Sequence, residues 1–203
     1  AALRAQGLPV VTSGRVIGAE NGGPLVDNDF RTAAATVLDH LWEQGARSIV
    51  LMTTPPTTSY VVDMIAAYEG WCSDHDVTPR TQLCDQDMTA GVAAAAATAV
   101  LESEPRPDAV FAPLDRLALA TLQATHARGL AVPGDLLIAA ATDSEAARWT
   151  HPSLTVVHLY PEQVGRAAAE LLIALVEGRE PVEREVIVPT ELIVRESSRR
   201  RPG

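Results

Sequence analysis

Asp115 and Asp143 are the side chains whose type and position best suit binding chemistry. Each follows a short apolar run that reads as a strand: Val110 and Phe111 lead to Asp115, and residues 136–141 lead to Asp143. In open α/β sheets ligands bind beyond the carboxyl ends of the strands, so both carboxylates are expected on one rim, facing one space. A carboxylate there accepts hydrogen bonds from a ligand or faces a cation. The competing reading is local: Asp143 caps the turn into Ser144 and Glu145, and Asp115 caps the helix that carries Leu117. No catalytic constellation accompanies them. The chain has no GxSxG elbow, no HExxH, no GxGxxG and no paired Cys/His arrangement, so an α/β enzyme is the least supported of the possible functions. His40, His75, His126, His151 and His158 lack metal-ligand spacing, and no cofactor is implied.

All sixteen basic residues are arginine, which removes Schiff-base, P-loop and kinase-type lysine chemistry. The net charge of −10 opposes binding to phosphate backbones. The local exception, Arg199-Arg200-Arg201, reads as a solvated, disordered end. Cys72 and Cys84, twelve residues apart, fit neither a zinc site nor a disulfide framework and are expected to be inert buried thiols in a reducing compartment, by default the cytoplasm. The alanine-rich stretch 92–101 is too short to cross a bilayer, and no window resembles a signal peptide. With 203 residues and 47% hydrophobic content, the chain suits one large domain or two small lobes.

Alternating elements must position these side chains. Short strands are predicted at 8–11 and at Leu25-Val26, with Gly22-Gly23-Pro24 as the turn between them. Asp29 caps a helix whose Phe30, Ala34, Val37, Leu38 and Leu41 share one face, and Gly45 ends it. A buried strand at 48–52 and a helix at 59–75, with Val62, Ile65, Ala66 and Trp71 apolar, come next. A strand then ends at Leu83-Cys84, and an alanine-dominated helix covers 89–102. Past Asp143, a helix at 163–176 carries Val164, Ala168, Leu171, Leu172 and Leu175 inward, and strands run from 185 to 194. The pattern is an α/β fold with a mostly parallel sheet covered on both faces.

Seven blocks in order resemble the LacI/GalR (lactose repressor) family of transcription regulators, in its effector-binding part. They are Gly7-Leu8-Pro9-Val10-Val11; Val26-Asp27-Asn28-Asp29; His40-Leu41 with Gly45-Ala46-Arg47-Ser48-Ile49; Pro107-Asp108-Ala109-Val110-Phe111; Gly129-Leu130-Ala131-Val132-Pro133; Pro152-Ser153-Leu154-Thr155; and Glu191 through Ser197. The resemblance implies a periplasmic-binding-protein-like fold of two parallel-sheet lobes with a ligand between them, the N-terminal lobe incomplete. The helix-turn-helix module and the first strands of that lobe have no counterpart here. The implied division is 1–46 as the remnant of the N-terminal lobe and 47–155 as the C-terminal effector-binding and dimerisation lobe. Residues 156–180 would cross back, and 181–203 would be terminal strands and a disordered tail.

The resemblance also implies site residues. Asp143 matches the carboxylate that accepts effector hydrogen bonds, Asp115 the acidic half of the family's "ND" pair, and Ser59 and Tyr60 its polar contacts. Three positions depart from it. Met64 stands in place of an effector-binding arginine, Leu114 in place of the asparagine of the pair, and Gln86 near the place of a stacking aromatic ring. The acids left near the expected cleft, Asp29, Asp63, Asp85, Asp87, Asp115 and Asp143, favour a cationic or polyhydroxyl ligand. Trp149, Leu117 and Leu122 resemble a homodimer surface, with an ordinary core role as the competing and, for the two leucines, favoured reading. The implied function is allosteric: a small effector shifts the lobe arrangement and so the operator affinity of the missing DNA-binding module. The alternative with the same architecture is a transporter's solute-binding protein.

Overall fold

The computed structural model of the protein describes residues 3, 6–18 and 23–200. Strands β1 (Thr12–Ser13) and β2 (Leu25–Asn28) lead into helix α1 (Phe30–Glu43). Alternation follows through β3 (Ile49–Thr53), α2 (Ser59–Asp74), β4 (Thr81–Leu83), α3 (Ala90–Glu102), β5 (Ala109–Ala112), α4 (Asp115–Ala127), β6 (Leu137–Ala140) and the short α5 (Glu145–Trp149). Then come β7 (Thr155–His158), α6 (Pro161–Val176), β8 (Glu185–Val188), β9 (Glu191–Ile193) and a 3-10 turn (Glu196–Ser198).

The strands form two sheets. The smaller runs β1-β2-β8, all parallel; the larger runs β4-β3-β5-β6-β7-β9, parallel except for β9, which is antiparallel to β7. Strand side chains alternate between faces, and here both faces are buried. Val50 and Met52, Val110 and Ala112, and Ile138 and Ala140 pack on one side with α3 and α4. Ile49 and Leu51, Ala109 and Phe111, and Leu137 and Ala139 pack on the other with α1 and α2. This is why β3, β5 and β6 read as unbroken apolar runs. The smaller sheet packs Val26 and Val188 against Leu171 of α6.

The helix α1 shows how closely local signals set an element. Asp29 accepts hydrogen bonds from the Thr32 amide at 3.0 Å and the Thr32 hydroxyl at 2.6 Å, which hold its carboxyl below the usual range. Gly45, at φ +91°, takes the left-handed turn that ends the helix. Ala33, Ala34, Val37, Leu38 and Leu41 are buried between them.

Several expectations are corrected. The helix α1 packs on the larger sheet, so 1–46 is not one lobe: the chain leaves the small sheet at Asn28, and β7 keeps it in the larger lobe through His158. The strand expected at 8–11 is only the two-residue β1, Thr12–Ser13, while Leu8 is exposed. The buried face of α2 is Val61, Met64, Tyr68, Trp71 and Cys72, with Val62 outward. In α6, Leu171 and Ala174 are buried and Leu172 is exposed, because a three-stranded sheet covers a narrow stripe. Of the expected turn, Gly22 lies outside the described residues, as does Arg201 of the basic run.

The expected disordered tail is docked as far as Arg200. Ser197 and Ser198 are fully buried. The Ser197 hydroxyl donates to the Ile138 carbonyl at 2.6 Å and accepts the Thr155 amide at 2.8 Å, satisfying backbone groups where β6 and β7 diverge. Arg200 donates its amide to Gln44 at 2.9 Å.

His40 of α1 joins this docking, with Nε2 2.7 Å from the Ser198 hydroxyl, and burial holds its pKa below the ordinary value. A histidine with a lowered folded pKa is neutral in both states above its unfolded value, about 6.5; below that, the unfolded chain binds the proton first and stability falls. The urea midpoint should therefore drop between about pH 7 and about pH 5.5, and His40→Gln should flatten that drop. An equal slope in wild type and variant would refute this role.

Candidate functional site

Among the described residues, three segments join the lobes: the exit from β2, the link from β7 to α6, and the link from β8 to β9. Chain that has left its sheet needs new hydrogen-bond partners. Asn28 supplies them, its Nδ2 donating to Leu159 O at 3.0 Å and to Val188 O at 3.0 Å, one on each of the other two crossings. Tyr160, left-handed at φ 48° and followed by Pro161 at the start of α6, donates its hydroxyl to Glu191 on the third crossing.

Beside these crossings, the carboxyl ends of β1, β2 and β3 face a cavity of about 590 Å³, within the range of small-molecule sites. The small lobe contributes Ser13, Gly14 and Arg15 after β1, with Asp27 and Asn28 at the end of β2. The large lobe contributes Phe30 from the start of α1, and Thr57, Ser59 and Tyr60 from the loop that opens α2. Phe30 and Tyr60 form an aromatic wall, with ring centroids 5.6 Å apart. Gly14 takes the left-handed turn after β1 at φ +85°, a conformation that favours glycine, and lies beside Ser59 of the other lobe, whose hydroxyl an added Cβ would meet at 3.8 Å, an ordinary contact.

The charges on this wall are paired. Arg15 lies 3.7 Å from Asp27 of its own lobe and forms an ion pair with Asp63 of α2, across the cleft. Asp63 also accepts from Arg31 Nε at 3.0 Å. Both carboxylates are nearly buried, Asp27 at 6% and Asp63 at 5% exposure. A second cavity of about 220 Å³ is lined by this row, Asp63 included, together with Asp29, Arg31 and Glu185, whereas the main cavity is lined by Arg15 and Asp27 of the row.

Of the residues singled out in the sequence, Ser59 and Tyr60 line the main cavity and Asp29 the smaller one, where its carboxylate is occupied as the α1 cap. Gln86 donates to the Thr57 hydroxyl and so touches the cavity's loop indirectly. The others lie elsewhere. Met64 is buried against the larger sheet, and Leu114 packs on its opposite face. Asp115 receives the Arg116 amide at 2.8 Å, while its own amide donates to Thr142.

Asp143 does not have a free carboxylate. Arg195 donates to both of its oxygens at 3.0 and 3.1 Å, and Arg148 donates to them at 3.1 and 3.2 Å through Nε and at 2.8 Å through Nη2. Burial pushes its pKa up, but the two guanidiniums outweigh burial and hold it below the ordinary value. Asp143 is a clamp between α5 and the chain after β9. The expected dimer leucines are interior too: Leu117 and Leu122 belong to the core between α3, α4 and the sheet. Trp149, in contrast, is 81% exposed.

Sequence reasoning missed Arg15, Asp27, Asn28 and Phe30 as cavity residues. Their one advance signal was the block from Val26 to Asp29, which pointed to the crossing and not to the ligand space. Burial raises the thiol of Cys72 and pushes that of Cys84 up to about 11, consistent with inert cysteines.

A family model for the periplasmic binding protein-like domain matches residues 38–198. The lactose operon repressor of Rhizobium radiobacter is 35% identical over 104 residues, covering 51% of this chain and 91% of the relative. The chain belongs to the LacI/GalR family. Within this family it is similar to the HTH-type transcriptional regulator CelR of Thermobifida fusca, 31% identical over 193 residues, which cover 94% of the chain and 57% of that protein. Among solved structures, a transcriptional regulator CelR–cellobiose complex superposes with a TM-score of 0.86 at 28% identity, over 96% of this chain and 60% of that one. A LacI-family regulatory protein from Chloroflexus aggregans superposes at 0.87 and 27% identity, over 97% and 71%. The chain thus spans little more than half the length of the LacI/GalR regulators it matches over most of its own length. These relatives are transcriptional regulators, not transport proteins. No described helix is long and apolar enough to cross a membrane.

Replacing Asp143 with Asn should destabilise the fold by about 1.5–3 kcal/mol in urea titration, because charged hydrogen bonds to Arg195 and Arg148 are lost. With its folded pKa depressed, Asp143 stabilises above its unfolded pKa, and that contribution disappears as pH falls through the folded value; the variant should lose this acid-limb dependence. Unaltered stability would show that the clamp carries nothing.

Proposed function

We propose that this chain is the effector-sensing region of a LacI-type regulator, that its effector is an uncharged sugar, and that the sugar lies in the cavity between the lobes. The observation that carries this reading is the wall itself. Phe30 and Tyr60 offer aromatic faces for the apolar side of a sugar ring, beside the hydroxyls of Ser13, Thr57 and Ser59. The binding of cellobiose by the CelR relative agrees with it. A cationic effector is disfavoured, because three of the six acids expected to attract it are satisfied within the protein, Asp29 by Thr32, Asp63 by Arg15 and Arg31, and Asp143 by Arg148 and Arg195, and the other three, Asp85, Asp87 and Asp115, do not line the cavity.

In this reading the sugar favours one arrangement of the lobes about the Asn28 crossings. A DNA-binding module elsewhere in the full-length protein reads that arrangement as a change in operator affinity, with coupling of about 1–3 kcal/mol. The effector's identity is tested by calorimetric titration of cellobiose, glucose, galactose and ribose. One of them should bind, and Phe30→Ala and Tyr60→Ala should each weaken it about tenfold, as loss of a stacking face predicts. Failure of all four to bind, or full affinity in both variants, would refute the assignment.

The same reading makes the protein a homodimer whose larger lobes meet at Trp149. A tryptophan 81% exposed on a five-residue helix is costly in water and suited to burial against a second copy. Trp149→Glu should shift the sedimentation profile from dimer to monomer while the melting temperature of the fold is retained. A wild type that sediments as a monomer at high concentration, or a variant that remains dimeric, would refute this surface.

A further inference from the structure

The main cavity is lined by Arg15 and Asp27, and Arg15 bridges onward to Asp63, which faces the smaller cavity and is held by Arg31, so two carboxylates and two guanidiniums alternate along this side of the cleft. Arg15 is half-exposed and is flanked by Asp27 on one side and Asp63 on the other. Neither acid is free to swing aside. Asp27 is nearly buried and accepts the Asn28 amide at 2.9 Å, and Asp63 is buried and held at 3.0 Å by Arg31. The positive charge that would draw an anion into the cleft is therefore neutralised before a ligand arrives. An anion placed against Arg15 would compete with Asp27, a fixed and poorly hydrated negative charge on the same wall, for a guanidinium that Asp63 also shares.

A hydroxyl group meets a different surface. It can accept from a guanidinium N–H and donate to a carboxylate oxygen, so the row suits a ligand rich in hydroxyls and without charge. We infer that the Asp27–Arg15–Asp63 row is a selectivity filter that admits neutral sugars and rejects their acidic counterparts, and that Asp27 and Arg15 set its sign. This rests on the cavity being the sugar site proposed above. The row also spans the cleft, since Arg15 belongs to the small lobe and Asp63 to the large one.

The test is a titration of full-chain protein with cellobiose, glucose and galactose, each paired with its uronic acid: cellobiouronate, glucuronate and galacturonate. Wild type should prefer the neutral member at least about tenfold. Asp27→Asn removes one negative charge while its amide oxygen can still accept from Asn28, and should reduce that preference at least about fivefold. Arg15→Gln should move it the opposite way, since Asp27 would then face the ligand without its cation, while Asp63 keeps Arg31. Circular dichroism establishes folding; should Asp27→Asn not fold, the direction of the Arg15→Gln change decides. A neutral sugar that binds with the same preference in wild type and both variants overturns the filter and leaves the sugar site standing. Equal wild-type affinity for a sugar and its uronate does the same. No binding by any neutral sugar overturns the site, and the filter with it.

Discussion

The two lobes have separate sheets and separate cores, so everything at the cleft depends on how three crossing segments are held together. The Asn28 side chain does this. An amide nitrogen has two donor hydrogens, and Asn28 uses them on the carbonyls of Leu159 and Val188, which belong to the other two crossings. An aspartate at this position would present two acceptors to two carbonyls, and an alanine would present nothing, leaving both carbonyls short of a donor where their strands have ended. The same residue donates its backbone N–H to Asp27, so the crossing and the charged wall of the cavity are fixed by one side chain and its neighbour. The cleft therefore takes its geometry from the crossings as much as from either sheet.

Once the crossings are set, the larger lobe is built by strand alternation. Its three central strands expose no face to water, which makes their sequence nearly uniform and easy to recognise. Helix α1 was equally legible, since Asp29, the apolar spacing and Gly45 all specify the same element. Helix α2 was legible as a helix but not in its rotation. It carries apolar residues around much of its circumference, including Val61, Val62, Met64, Ile65 and Ala66, so periodicity alone cannot pick a face. Tyr68 resolves it. Its hydroxyl needs buried partners and finds Ile49 O at 2.7 Å and Arg80 O at 3.1 Å, and this turns Met64 into the core, away from the cleft.

The site was less legible than the fold for a related reason. Asp143 stands at the end of a strand, as a ligand-binding carboxylate would, and local pattern cannot show that an arginine 52 residues further on saturates it. Leu117 and Leu122 had the composition of a surface only by resemblance; their helical spacing places them in the same core as Val110 and Ile138. Of the residues that do form the cavity, Arg15 and Ser13 come from a strand end where no periodicity marks them, and Phe30 was marked by helical spacing only as a core residue. What the sequence offered as three losses, an arginine, an asparagine and an aromatic ring, is partly offset in space, since Arg15 and the Phe30–Tyr60 pair bring a guanidinium and aromatic faces from other positions.

The exclusive use of arginine gains meaning at this level. Each buried acid cluster near the lobe interface is solved by a guanidinium that serves more than one acceptor: Arg15 between Asp27 and Asp63, and Arg195 on both oxygens of Asp143 and the Leu154 carbonyl. A lysine ammonium is a compact point charge without the planar fork such sharing uses, and it would leave part of each group's acceptors unpaired in a poorly hydrated place. A chain of net charge −10 can therefore line its cleft with acids and still present a ligand with an almost neutral wall. That removes the expectation drawn from acidic composition alone, in which the cleft attracts cations. Charge counted along a sequence predicts a field only when the acids are free, and here the arginines that bind them are set by the fold.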